Sequence, residues 1–160
     1  MSAIIADYTA ASNLVSVDFG TWDPGYKAID IIMFISYPGA GFNANYNLYI
    51  NQDYTANHYY TQSTIGSDAN VTGAETNNAE IAYASPANAF CARFLIMTGP
   101  AACLWTGYVV RYDSDASLDI IHRTVHYADS NPPHITDIRL DNQWAGIGTG
   151  SRILIRDQST

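Results

Sequence analysis

Apolar and polar residues alternate along most of this chain, and a period of two predicts strands rather than helices. In "LVSVDF", Val15, Val17 and Phe19 share one face, with Ser16 and Asp18 on the other. "YNLYIN" sets Tyr46, Leu48 and Ile50 against Asn47 and Asn51, and "AFCARFLIM" sets Phe90, Ala92, Phe94 and Ile96 against Arg93. "NAEIAY" offers Ala79, Ile81 and Tyr83, and "WTGYVVRY" offers Tyr108, Val110 and Tyr112. "HITDIRL" and "SRILIR" place Ile138 and Leu140, then Ile153 and Ile155, among flanking charges, while "SLDIIHRTV" carries the weakest pattern. "AIDIIMFISY" is apolar on both faces from Ile31 to Ile35, which predicts a central strand covered on each side.

These runs make about nine strands, punctuated by "WDPG", "YPGAG", "MTGP" and "SNPP". One-faced strands bury their apolar sides most simply as two packed antiparallel sheets. The expected fold is all-β, a jelly-roll-like sandwich, with a closed barrel as the alternative. Residues 1–160 are read as one domain, in which 1–12 form an N-terminal arm. Thr61–Asn78, polar and poor in aromatics, is read as a long exposed loop.

Composition agrees. There is one lysine and there are two glutamates, against thirteen aspartates and twelve tyrosines, so helix formers are scarce and turn and strand formers abundant. The net charge of −8, with arginines spread singly from Arg93 to Arg156, argues against nucleic acid. No run reaches the roughly 18 apolar residues of a membrane helix. The segment "MSAIIADYTAASNL" shows no signal-peptide pattern, so synthesis in a cytoplasm is expected.

Candidate chemistry is sparse. Cys91 and Cys103 flank "TGPAA" and would face each other across neighbouring strands; in a reducing compartment they read as small hydrophobes. Asp113, Asp115 and Asp119 in "DSDASLD" invite calcium, but Leu118 and Thr124 stand where an EF-hand needs Gly and Glu, so a solvated turn is the reading. His122 and His126, four apart on a strand, lie about 13 Å from each other, too far to share a metal ion. "GIGTG" precedes a strand and lacks the helix N-terminus that receives an anion. No G-x-S-x-G elbow occurs. Neither an enzyme nor a cofactor is expected.

Aromatic residues suggest binding instead. Tyr54, Tyr60 and Trp105 are the candidate surface residues for stacking on a sugar or a partner, among a wider set that includes Trp22, Tyr59 and Trp144. Tyr54 lies in "NQDYTANHYY", where Asn51, Asp53 and Asn57 predict a tight corner. Their side chains bond nearby backbone and tolerate left-handed conformations, and the tyrosines beside them would close the end of the sandwich.

Several motifs, in order, resemble a β-sandwich domain of tailed-bacteriophage virion structural proteins, found in tail fibres, baseplates and other surface components. Tyr26, Ile29 and Ile31 match its "Y-x-x-L/I-x-I" run. Asn51, Asp53, Asn57 and, one residue late, Tyr59 match its "N-x-D-x-x-x-N-Y" turn. Tyr108 to Tyr112 resembles its mid-chain "I-x-x-Y" strand. Ile135, Ile138, Leu140, Gly146, Gly150, Ser151 and, one position early, Leu154 match its closing segment. The likeness runs from Trp22 to Arg156. It departs at His58, and "LIRDQST" stands where the family ends in "L-Y-G".

The resemblance implies a non-enzymatic protein on the outside of a phage particle, as a capsid decoration or part of a tail fibre or baseplate. It implies partners among other virion proteins of the capsid or tail, a homo-trimer, and synthesis in the host bacterial cytoplasm. The alternative is a carbohydrate- or host-receptor-binding module that contacts a host-surface glycan.

Overall fold

The computed structural model describes residues 3–23, 25–37, 44–67, 70–76, 79–84, 89–99, 102–112, 118–127, 134–142 and 146–159. They form twelve strands, one 3-10 turn (Ala56–His58) and no α-helix. The strands are β1 (Ile4–Thr9), β2 (Ser16–Gly20), β3 (Ala28–Ile35), β4 (Ala44–Ile50), β5 (Tyr59–Ser67) and β6 (Asn70–Thr76). They continue as β7 (Glu80–Ala84), β8 (Phe90–Thr98), β9 (Cys103–Tyr112), β10 (Leu118–Tyr127), β11 (Asp137–Asn142) and β12 (Arg152–Asp157).

Two antiparallel sheets result. The larger has the order β1-β12-β3-β8-β9-β10-β5-β6 and the smaller β2-β11-β4-β7. The chain passes back and forth between them, from β2 to β3 to β4 to β5, then through β7 and β8 to β11 and β12. That wrapped path is the jelly-roll type of sandwich, with the long meander β8–β9–β10 in the larger sheet. The core lies between the layers, where Ile31, Met33, Phe94 and Ile96 of one sheet meet Tyr46, Leu48, Ile138 and Leu140 of the other.

Four expectations are corrected. The strands number twelve against about nine expected, because β1 lies in the segment read as an arm and β5 and β6 in the segment read as a loop. Residues 1–12 are not a free arm: β1 pairs with β12 from Ile4 to Thr9, and Ala10 exchanges backbone bonds with Gly150 and Ser151. Ile5 and Tyr8 pack on the core, which secures the pairing. Thr61–Asn78 is not a loop: β5 and β6 pair from Thr61↔Thr76 to Ser67↔Asn70. The inner face of β5 runs Tyr59, Thr61, Ser63 and Ile65, and the two polar side chains in its middle, both buried, interrupt the hydrophobic signature.

The fourth concerns β9. Trp105 and Val109 point inward with Arg111, whereas Tyr108 and Val110 point outward, opposite to the pattern reading. Gly107 explains how the inner face closes: a Cβ there would overlap the Arg93 carbonyl oxygen and the Phe94 ring of β8. In β10 the inward set is Asp119, Ile121, Arg123, Val125 and Tyr127, while Leu118 and Ile120 face out. Both strands therefore bury charges and expose aliphatic groups.

Candidate functional site

The corner after β4 is built as its residues dictate. Asn51 and Gln52 have φ of 54° and 58°, and Asp53 N–H donates to the Ile50 carbonyl at 3.0 Å, a turn with two left-handed central residues. Asn51 ties this turn to the chain entering β11: its Nδ2 donates to the His134 carbonyl at 3.0 Å, and its Oδ1 accepts from Thr136 N–H at 2.8 Å. Asp53 Oδ1 accepts from Thr55 N–H, and its Oδ2 receives the Tyr127 hydroxyl at 2.8 Å and lies 2.5 Å from His58 Nδ1. Burial acts to raise this carboxyl's pKa, but the bonds from His58, Thr55 and Tyr127 outweigh it and bring the value down to about 2. Asn57 is exposed in the 3-10 turn.

Tyr59 closes the corner. It is fully buried, and its hydroxyl donates to the Asp53 carbonyl at 2.6 Å while Ile50 N–H reaches it at 3.3 Å. Burial pushes its phenol well above the ordinary range, so the hydroxyl stays protonated. At the opposite motif, Gly150 takes a positive φ of 84° and Ser151 is buried, its hydroxyl accepting from Ser36 N–H at 2.9 Å. The N–H groups of residues 147–151 donate to Leu14, Ser36, Asn13, Ala10 and Gly148 in turn, so the glycine-rich turn keeps none for an anion.

Of the three aromatic candidates, Trp105 is corrected: it is wholly buried against Tyr59 and cannot touch a partner. Its inward position follows from the reversed face of β9. Tyr54 and Tyr60 are exposed. They do not form one site: Tyr54 lies by Tyr49 with Arg139 over its ring at 5.2 Å, on the smaller sheet, and Tyr60 lies near His126 on the larger. Trp144, Asp113 and Asp115 fall outside the described residues. Asp119 is not in a solvated turn; it is buried and bonded to Arg111 Nη2 at 2.9 Å. Cys91 is exposed and Cys103 buried, both thiols free, and they do not oppose each other: Cys91 pairs with Val110 and Cys103 with Thr98. Among the described residues no group of three His, Cys, Asp or Glu is placed to hold a metal ion.

Two buried arginines reach from the larger sheet to edge strand β7. Arg123 donates to the Glu80 carboxylate at 2.9 Å and to the Glu80 carbonyl at 3.1 Å. Arg111 bonds the Tyr83 carbonyl and Asp119. Burial lowers the Arg123 pKa, against the attraction of Glu80. These charges fasten the sheets together, with Arg123 Nε left buried and unpartnered.

What sequence reasoning missed is the outer face of the larger sheet. Cross-strand register places Phe34, Cys91, Val110 and Ile120 in one row over β3, β8, β9 and β10. The neighbouring row reads Leu154, Ile32, Arg93, Tyr108 and His122. Among the described residues, eight of the ten exposed large hydrophobics stand on this face, including Phe34, Tyr108 and Ile120 at 48%, 49% and 52% exposure. A shallow apolar cavity of about 600 Å³ runs along it, lined by Ile32, Phe34, Val110 and Leu154 with Arg93, Arg152 and Arg156. The outer face of the smaller sheet is polar by contrast, with Asp18, Arg139 and Asp141 linked as ion pairs. A signal did exist: "AIDIIMFISY" is apolar on both sides, and among the described residues only one side is covered.

No family model matches this chain, and no curated protein or solved structure is significantly similar to it.

Proposed function

We propose that this chain is a non-enzymatic structural protein of a bacteriophage particle, on its exterior as a capsid decoration or a component of the tail fibre or baseplate. It works by oligomeric assembly and by docking to other virion proteins, after synthesis in the host bacterial cytoplasm. The observation that supports this reading best is the outer face of the larger sheet. Contiguous exposed apolar patches on soluble domains mark interaction surfaces, and here the patch covers several adjacent strands, whereas the buried ion pairs Arg111–Asp119 and Arg123–Glu80 are engaged in holding the sandwich together. The motif resemblance supplies the particle, and jelly-roll sandwiches are used in viral capsid and lectin domains, an argument by analogy of fold.

The test is mass spectrometry of purified particles, followed by imaging of the intact particle. The reading expects the chain at stoichiometric copy number and its density on the outer surface. Absence from particles ends it.

A carbohydrate-binding reading is favoured by one observation. A second open groove, about 630 Å³, is lined by Trp22, Tyr26, Asp23, Lys27, His134 and Asp157, an aromatic ring beside hydrogen-bonding charges. Retention on host glycans that Trp22→Ala abolishes would establish it; no retention removes it.

A further inference from the structure

Covering the outer face of the larger sheet requires a partner with a wide, flat, complementary surface. We infer that this partner is a second copy of the chain, packed sheet face on sheet face. The inference rests on the reading of that face as a docking surface and names its occupant.

Three observations carry it. The first is the inversion of β9 and β10, which bury Arg111, Asp119 and Arg123 while turning Val110 outward, half-buried, and exposing Leu118 and Ile120. Burying ions costs desolvation and exposing aliphatic side chains forgoes transfer free energy. The second half of that cost is recovered only when the outer face is itself covered.

The second is charge. The described charges that point outward on this sheet are Arg93, Arg152 and Arg156 against Asp7, Asp30 and Glu75, and they cancel. Arg93 and Arg152 are already bonded to Asp30 and Asp7. The whole chain carries −8, so two copies repel at most approaches. They repel least where neutral faces meet.

The third is size. Six adjacent strands from β12 to β5 span about 29 Å, and the rows from Val110 to Leu104 about 20 Å. The flat projection is then about 600 Å², of the order of the ~800 Å² per partner that a stable pair buries.

Cys91 sits within this face and is the exposed one of the chain's two cysteines. The unmodified protein therefore carries its own probe. At micromolar concentration, light scattering is expected to give twice the 17.5 kDa chain mass, and a short bismaleimide to join Cys91 to Cys91. Phe34→Asp and Ile120→Asp are expected to halve the mass and abolish cross-linking. Both positions are half exposed, so circular dichroism and the urea midpoint should be retained. Should either aspartate variant fail to fold, the cross-link in the unmodified chain decides. A monomer with no cross-link, or an oligomer whose mass survives both substitutions, overturns the inference. A monomer captured by purified capsid or tail proteins through Phe34 and Ile120 also overturns it, yet leaves the docking reading standing. A monomer captured by nothing sinks both.

Discussion

Tyr59 donates its hydroxyl to the backbone carbonyl of Asp53, six residues back along the chain, at 2.6 Å. One buried side chain thereby holds the corner that carries the chain from the smaller sheet to the larger. Its ring also packs on Tyr127 and Trp105, with centroids 4.9 Å and 5.7 Å away, so the contact is both polar and apolar.

Tyr59→Phe separates the two contributions. The ring stays and the hydroxyl goes, which leaves the Asp53 carbonyl without this donor. A buried polar group stripped of its partner costs roughly 1–3 kcal/mol. Urea unfolding should show the midpoint lowered with the slope unchanged. A midpoint equal to that of the unmodified chain would mean that the corner is held by other contacts.

The same corner predicts acid sensitivity. In the folded chain the Asp53 carboxyl lies at about 2, below its ordinary 3.8, because of His58, Thr55 and Tyr127. A depressed folded value stabilises the fold above the unfolded pKa, and that stability is lost as pH falls through the folded one. The window is therefore about pH 4 down to 2, and the loss, reduced by solvent screening of this partly solvated carboxylate, is on the order of 1 kcal/mol. Asp53→Asn, less stable at neutral pH, should show a flatter acid limb. Parallel curves for the two proteins would contradict the assignment.

The corner was legible in the sequence because its signals are local. Asn and Asp in "NQDYTANHYY" satisfy backbone groups a few residues away, and no distant strand is needed to infer that. The alternation in "YNLYIN" and "AFCARFLIM" was legible for the same reason, and both strands face as their patterns predict. Strand β5 was not, because Thr61 and Ser63 look like loop residues until Arg123 and Val125 are laid beside them by pairing. Strand β9 was read on the wrong face for a related reason. Tyr108, Val110 and Tyr112 form an unbroken set on one face while Gly107 and Arg111 interrupt the other, and an inward Arg111 is made tolerable by Asp119 across the hairpin and by Tyr83 of the other sheet. The apolar outer face of the larger sheet emerged from register, which a linear pattern does not contain.

That inward pair gives a third prediction. Arg111 and Asp119 are cross-strand partners with side chains 10% and 5% exposed. Removing one partner leaves the other charge buried alone, at a cost of about 3–5 kcal/mol. Asp119→Leu should therefore destabilise strongly, while Arg111→Met combined with Asp119→Leu should recover much of the loss. Arg111 also bonds the Tyr83 carbonyl, so recovery stops short of complete. A double-mutant cycle in urea measures the coupling. Additive single effects would show that the two charges do not depend on each other.

The two cysteines differ as their positions require, and their chemistry reads the fold directly. Burial in the core pushes the Cys103 thiol up to about 12, so almost no thiolate forms at pH 8, and no reagent reaches it in the folded chain. Cys91 faces outward on β8. In dilute native protein a thiol-specific disulfide reagent should titrate one group quickly, and two after unfolding in urea. Raising the protein concentration should slow the fast group where a second copy covers it, and leave the slow one unchanged. Two fast thiols in the native chain would place Cys103 outside the core and with it the inward face of β9.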